Sequence, residues 1–416
     1  MLAFSDGVTQ TAATTSERIR SLDALRGAGV LGMLAVHMPL FAYPSLARWN
    51  PTAYGDLQGL NWWAWLLTSI LADGKFITIF AMLLGVSIAM QPSHRALGSR
   101  SPRAAHWRRM AVLLGLGLLH AYVVWYGDML VPFALCGFLI YPARRLSPAW
   151  LLTLGILAFA TASMLSFVLT SITAGSNPAA LAAWRAQWTP QPAVIAAEIT
   201  QYRGGWLQQM AHRVPAALET ETSHFITHLL WQMTGLMLMG MALFKLGVLS
   251  ATRSRRFYLT TGSLGFGLGG VLVSLGLWRS YLTNWDLLDF VLISQQLQYW
   301  GNLLVALGWT ALVMLLVQLG WRLQILATVG RMALTNYLLQ SVICTMVFYG
   351  HGFGLFGRID RAAQLAFVIA VWVFQWLASA VWLRYFAVGP VEWLVRLLVF
   401  GRRPGVMRPS PVIAGA

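Results

Sequence analysis

Apolar runs of about 20 residues recur from one end of the chain to the other, and they limit its folds more than any other feature. Each run is long enough to cross a bilayer core of roughly 30 Å as a helix. A transmembrane barrel would show alternating segments of about ten residues instead. Inside lipid, the helix also satisfies its own backbone polar groups. The runs therefore predict an all-α fold, a polytopic transmembrane bundle of about ten spans. These read as Leu22 to Tyr43, Trp62 to Met90, Met110 to Tyr126, Met129 to Tyr141, Trp150 to Thr170, Phe225 to Leu246, Phe257 to Trp278, Leu297 to Leu319, Leu326 to Tyr349, and Ala362 to Leu383. The fourth is short enough to be a broken or re-entrant helix.

Only 10% of residues are charged, against roughly 25% in a soluble domain, which excludes a water-soluble protein. The net charge of +16 does not point to nucleic acid, because the basic residues sit in short clusters between the runs and read as topology signals. With the N-terminus inside, 21 basic residues fall on the cytoplasmic side and 7 on the outer side, with Lys75 inside a span. That bias predicts both termini in the cytoplasm. The chain divides into a cytoplasmic segment 1–21, a transmembrane domain 22–401 and a disordered basic tail 402–416. An outer loop covers 171–224, in which Ile195, Ile199, Tyr202 and Trp206 mark one helical face lying on the membrane surface. The start of the chain lacks the pattern of a cleaved signal peptide. Cys136 and Cys344 lie in apolar runs and read as packing residues, with no disulfide or metal site implied.

Ionisable groups inside a membrane are costly, so each is a functional candidate. In the first span, RIRSLDALRGAGVLGMLAVHMPLF, Arg26 and His37 are eleven residues apart. On a helix they share a face about 16 Å apart, and Asp23 shares it too. An arginine at the cytoplasmic end can hold phosphate by forked charge-assisted bonds, and a histidine deep in the span can act as a general base. That separation suits a coenzyme A thioester entering from the cytoplasm, phosphates at Arg26 and acyl group at His37. The plainer alternative is a structural Asp23–Arg26 pair and an interior histidine. Arg109 and His120 repeat the spacing in the third span and could form a second wall of the same cavity, beside Arg108. Asp128 could meet His120 only across a turn. Asp73, Gly74 and Lys75 suggest a helix break facing a cavity, or an ion pair that holds the bundle. Arg331, Thr335, Asn336 and Gln340 share a broad face, fit for helix contacts or a cavity wall. No phosphate loop, HExxH helix or GxSxG elbow is present in the sequence.

Six strings in order, RIRSLDALRG, GKFITIFAMLLG, LLHAYVVWYGDML, YRGGWLQQMAHR, GRMALTNYLLQS with FYGHGFGLFG, and GPVEWLVRLLVFG, resemble the YeiB family of bacterial multi-spanning membrane proteins over nearly the whole chain. The C-terminal half of that family is a domain of unknown function, number 418. The family is similar to a wider transmembrane acyltransferase superfamily, with the acyltransferase-3 proteins and the lysosomal heparan glucosaminide acetyltransferase. There an arginine and a histidine with ten residues between them in the first span are the functional pair, and Arg26 and His37 match it. Many YeiB relatives carry asparagine at the place of His37, so catalysis is not implied for the whole family.

The resemblance implies a membrane acyltransferase of the bacterial inner membrane. It would carry an acyl group from cytoplasmic acyl-CoA, acetyl-CoA expected, to a cell-envelope glycan or lipid acceptor. His37 would be base or transient acyl carrier, Asp23 would orient Arg26, and Arg26 with Arg108 or Arg109 would clamp the donor phosphates. Membrane lipids and a second copy of the chain are the expected partners. The alternative is a transporter or channel lined by Asp73, Lys75, His120 and Asp128.

Overall fold

A computed structural model describes residues 6–90 and 101–401, with side-chain placement from Arg20. Residues 402–416, read as a basic tail, lie outside the described residues. The described chain is helical and contains no β-strand.

In order, the helices are α1 (Asp6–Ala42), α2 (Gly59–Leu71), α3 (Lys75–Ala89), α4 (Pro102–Leu119), α5 (Leu130–Ile140) and α6 (Pro148–Ser176). The outer loop holds α7 (Pro178–Trp188), α8 (Pro192–Arg203) and α9 (Trp206–Glu221). Then come α10 (Leu230–Lys245), α11 (Arg255–Leu282), the single turn α12 (Leu287–Asp289), α13 (Gln295–Gln318), α14 (Gln324–Arg331), α15 (Ala333–Phe348), α16 (Arg361–Tyr385) and α17 (Pro390–Phe400). Among the described residues, eight helical stretches are long and apolar enough to cross a membrane. Two expected spans fall short of that length. The fourth is the 11-residue α5. The ninth is broken at Met332, leaving α14 and the 16-residue α15.

One break follows from local chemistry. Gly74 takes a left-handed backbone (φ +73°) between α2 and α3, where a side chain would be strained. The second expected span thus splits at the Asp73–Gly74–Lys75 string. The chain also departs from expectation at its start, since α1 already begins at Asp6.

The core is mainly apolar, with polar side chains buried within it, and small residues set how closely helices approach. α1 lies at its centre, packed on α3, α14, α15 and α16. α11 packs along α13, α10 along α6 and α3, and α4 along α5 and α17. The α1–α14 contact is the tightest of those that matter for the site. A Cβ on Gly27 would lie 1.9 Å from the Leu326 carbonyl oxygen, and one on Gly330 would lie 1.8 Å from that of Asp23. Only glycine permits this approach, and it brings Arg331 to the stretch of α1 that carries Asp23 and Arg26.

Candidate functional site

A cavity of about 600 Å³ opens between α1, α3, α4, α5, α14, α15 and α17. Asp23 and Arg26 reach it from α1, His106 and Arg109 from α4, Arg331 from α14, and Glu392 and Arg396 from α17. Its inner wall is apolar, with Phe80, Leu84, Leu113 and Phe133. A volume between about 300 and 1,000 Å³ with an apolar wall and a few convergent polar groups is the ordinary form of a ligand site.

The charges in the cavity are unequal. Asp23 Oδ1 accepts a bond from an Arg26 Nη at 2.9 Å. Glu392 is committed elsewhere. Its carboxylate accepts from the Leu334 and Thr335 amides at 2.7 and 3.1 Å and from the Thr335 hydroxyl at 2.5 Å. It thus caps the free amides of α15, where negative charge is favoured. Arg331 donates to the Ala387 carbonyl at 3.1 Å. Arg109 and Arg396 form no ion pair among the described residues, and Arg109 lies within electrostatic reach of Arg26 and Arg396. Four guanidinium groups against two carboxylates leave an excess of two positive charges. His106 Nε2 bonds the Gly137 carbonyl at 2.9 Å and its ring stacks on Tyr141 at 4.3 Å.

His37 does not line this cavity. It lies farther along α1, buried, with its ring 5.0 Å from that of Trp125. Trp125 is wholly buried and stacks on Phe41 at 4.0 Å. The His120 ring lies 6.3 Å from that of Trp125. α4 carries His106, Arg109, Leu113, Gly117 and His120 at steps of three, four, four and three, one stripe of one helix. α1 and α4 therefore both run from a cavity arginine to a deep histidine, and the two histidines converge on one tryptophan.

His120 meets Asp128 because the chain turns back between them. α4 ends in a π-helical turn over His120–Val124, and Trp125 is extended. His120 Nδ1 is 2.7 Å from Asp128 Oδ1, and both side chains are only 2% exposed. Asp128 Oδ2 accepts the Val131 amide at 2.8 Å, at the start of α5. The Tyr337 hydroxyl accepts the Met129 amide at 3.1 Å, and its ring lies 5.4 Å from His120. His120 Nε2 is buried and has no hydrogen-bond partner among the described residues.

The remaining candidates sit apart from the cavity. Arg108 is exposed and faces away from the lining. Asp73 pairs with Arg48 at 2.6 Å rather than with Lys75. Lys75 is fully buried and donates to the Ser69 carbonyl at 2.5 Å. Asn336 and Gln340 form a buried ladder with Gln375 and Ser379 of α16, and Gln340 also donates to the Val30 carbonyl at 3.1 Å. This ladder binds α15 to α16 and α1, away from the lining.

Sequence reasoning missed His106, Glu392, Arg396 and Trp125 as members of the two sites. Glu392 and Arg396 are four apart on an otherwise apolar helix, a spacing that would have marked one polar edge.

An all-helical bundle with eight membrane-length helices and a charged internal cavity defines a multi-pass membrane protein. The C-terminal part, residues 243–402, matches the family described as protein of unknown function (DUF418). The chain is 31% identical over 389 residues to the uncharacterized protein YeiB of Escherichia coli, covering 92% of this chain and 96% of that one. It is 27% identical over 402 residues to the uncharacterized protein YxaH of Bacillus subtilis, covering 92% and 94%. It belongs to the YeiB family. No solved structure matches it.

Proposed function

We propose that this chain is a membrane acyltransferase that takes an acyl group from acyl-CoA, with acetyl-CoA the donor of choice, to a glycan or lipid of the cell envelope. The observation that carries this reading is the arginine-rich mouth of the cavity, where Arg26, Arg109, Arg331 and Arg396 converge above an apolar wall. Guanidinium groups suit phosphate because their planar donors match its oxygens in pairs. A donor with several phosphates on a long arm fits a positive mouth and an apolar interior. His37 then stands at the acyl end, eleven residues beyond Arg26 on the same face of α1, about 16 Å along the axis.

The reading includes a topology. Eight long helices together with α5 and α15 would make ten crossings, with both termini and the arginine mouth on the cytoplasmic side, in the bacterial inner membrane. The excess of basic residues in the loops on that side supports it.

Calorimetric titration of the purified protein with acetyl-CoA tests the donor site. Saturable binding is expected, weakened at least tenfold by Arg26→Ala. A wild type with no affinity for acetyl-CoA, coenzyme A or a longer acyl-CoA sinks the reading. A second reading, a small-solute transporter, draws on the break at Gly74 beside buried Lys75. Solute flux in liposomes that depends on Asp73 or Lys75, without acyl-CoA binding, would favour it.

A further inference from the structure

The donor reading leaves one group without a task. His120 is enclosed, hydrogen-bonded to Asp128 on one nitrogen and unpartnered on the other. Buried polar atoms nearly always have a partner, and one that lacks it calls for an explanation. The Asp128 carboxylate accepts a hydrogen bond from Nδ1–H, which fixes the ring tautomer and leaves the Nε2 lone pair free. This is the division of labour by which a carboxylate orients a histidine base. His37 contrasts with it, since no carboxylate bonds its ring among the described residues.

The dyad is also in line with the cavity. His106, Arg109 and Leu113 line the cavity, and His120 continues their stripe on α4. From Leu113 it is seven residues, about 10 Å deeper. Leu130, two residues after Asp128, lines the cavity as well. Trp125, whose indole Nε1 is likewise buried without a partner among the described residues, lies beside both histidines. The unpartnered atoms therefore cluster where the deep ends of α1 and α4 meet.

Resting on the acyltransferase reading, we infer that His120 is the group that takes the acceptor's proton, with Asp128 as its positioning residue, and that the acceptor is a hydroxyl compound. The acceptor oxygen bonds to the thioester carbonyl carbon while its proton passes to His120 Nε2. The carbon–sulfur bond breaks, its electron pair stays on the coenzyme A sulfur, and His120 returns the proton to that sulfur. No oxidant, reductant or metal is needed. His37, on the face that carries Arg26, holds the acyl end of the donor.

The test uses the full-length protein in liposomes, acetyl-CoA as donor and octyl glucoside or water as the hydroxyl acceptor. Free coenzyme A thiol is read with a thiol-reactive dye, and donor affinity by calorimetry. His120→Gln and Asp128→Asn should bind acetyl-CoA within twofold of wild type. Thiol release should fall at least a hundredfold in the first and at least tenfold in the second, in kcat and not in KM. Asp128→Glu should restore part of the rate. Variants that keep wild-type kcat overturn the inference. So does a joint loss of melting temperature and donor affinity that Asp128→Glu does not repair, which would make the pair structural. A wild type that binds acetyl-CoA and releases no thiol to either acceptor overturns it while leaving the donor site standing. A wild type that binds no acyl-CoA removes the acyltransferase reading itself.

Discussion

Arg26 is the residue on which most depends. It is paired with Asp23 on the same helix face, three residues away, so the acid presents it rather than neutralising it across the cavity. A hydrogen bond to a charged group contributes about 1.5–3 kcal/mol. Arg26→Ala should therefore weaken acetyl-CoA binding by roughly 10- to 150-fold. Arg108→Ala, exposed and outside the lining, should leave it unchanged. Equal losses in the two variants would show that net charge alone, and not the cavity, attracts the donor. Outside the spans, His351 is a second residue with a clear expectation. Burial, followed by the Arg213 guanidinium, pushes its imidazole below the usual range, and Nδ1 lies 3.2 Å from Gln209 Oε1. A histidine with a lowered folded value binds its proton more readily unfolded, so it costs stability as pH falls below about 6.5. Hydrogen exchange in α9 should rise between about pH 6.5 and 5, and His351→Gln should flatten that rise.

Among the elements, α14 shows what the amino-acid pattern conveys and what it hides. The run from Leu326 to Tyr349 reads as one span, because nothing local warns of the break after Arg331. The break comes with contacts from outside the run, where Gly27 of α1 lets α14 lie directly on α1 at Gly330 and Glu392 of α17 caps the new start of α15. Those contacts are tertiary and have no trace in hydropathy. Asp73–Gly74–Lys75 is the opposite case. There a glycine with two charges in an apolar run marks its own break. The stripe on α4 was half legible. The spacing of Arg109 and His120 is visible, but the return of the chain that brings Asp128 to His120 is not. Gly27→Ala should drive a methyl group into the Leu326 carbonyl. Overpacking of this kind costs about 1–3 kcal/mol. A lower melting temperature in detergent and weaker acetyl-CoA binding should appear together, because Arg331 moves with α14. A fully stable Gly27→Ala would argue against so close a contact.

At the scale of the whole molecule, composition and hydropathy were enough for the bundle, and the basic clusters for a proposed direction. The cavity was not legible, because its lining comes from seven helices spread from Asp23 to Phe400. The proposed topology has a direct check. In a background where Cys136 and Cys344, both buried, are replaced by alanine, Ser254→Cys should react with an impermeant maleimide only from the cytoplasmic side. Thr189→Cys should react only from the outside. Labelling of both from one face would reverse or break the assignment.

Trp125 gives the molecule one further property. A charged vestibule that reaches deep into a bilayer is a hazard to any cell that stores energy as a proton gradient. The indole of Trp125 is wholly buried and stacked on Phe41, beyond the residues that line the cavity, and on the acyltransferase reading it would close the cavity's inner end. Trp125→Ala liposomes should dissipate an imposed pH difference faster than wild-type ones. The same ring would then let acyl chemistry occur at the middle of the membrane while the barrier to protons stays closed.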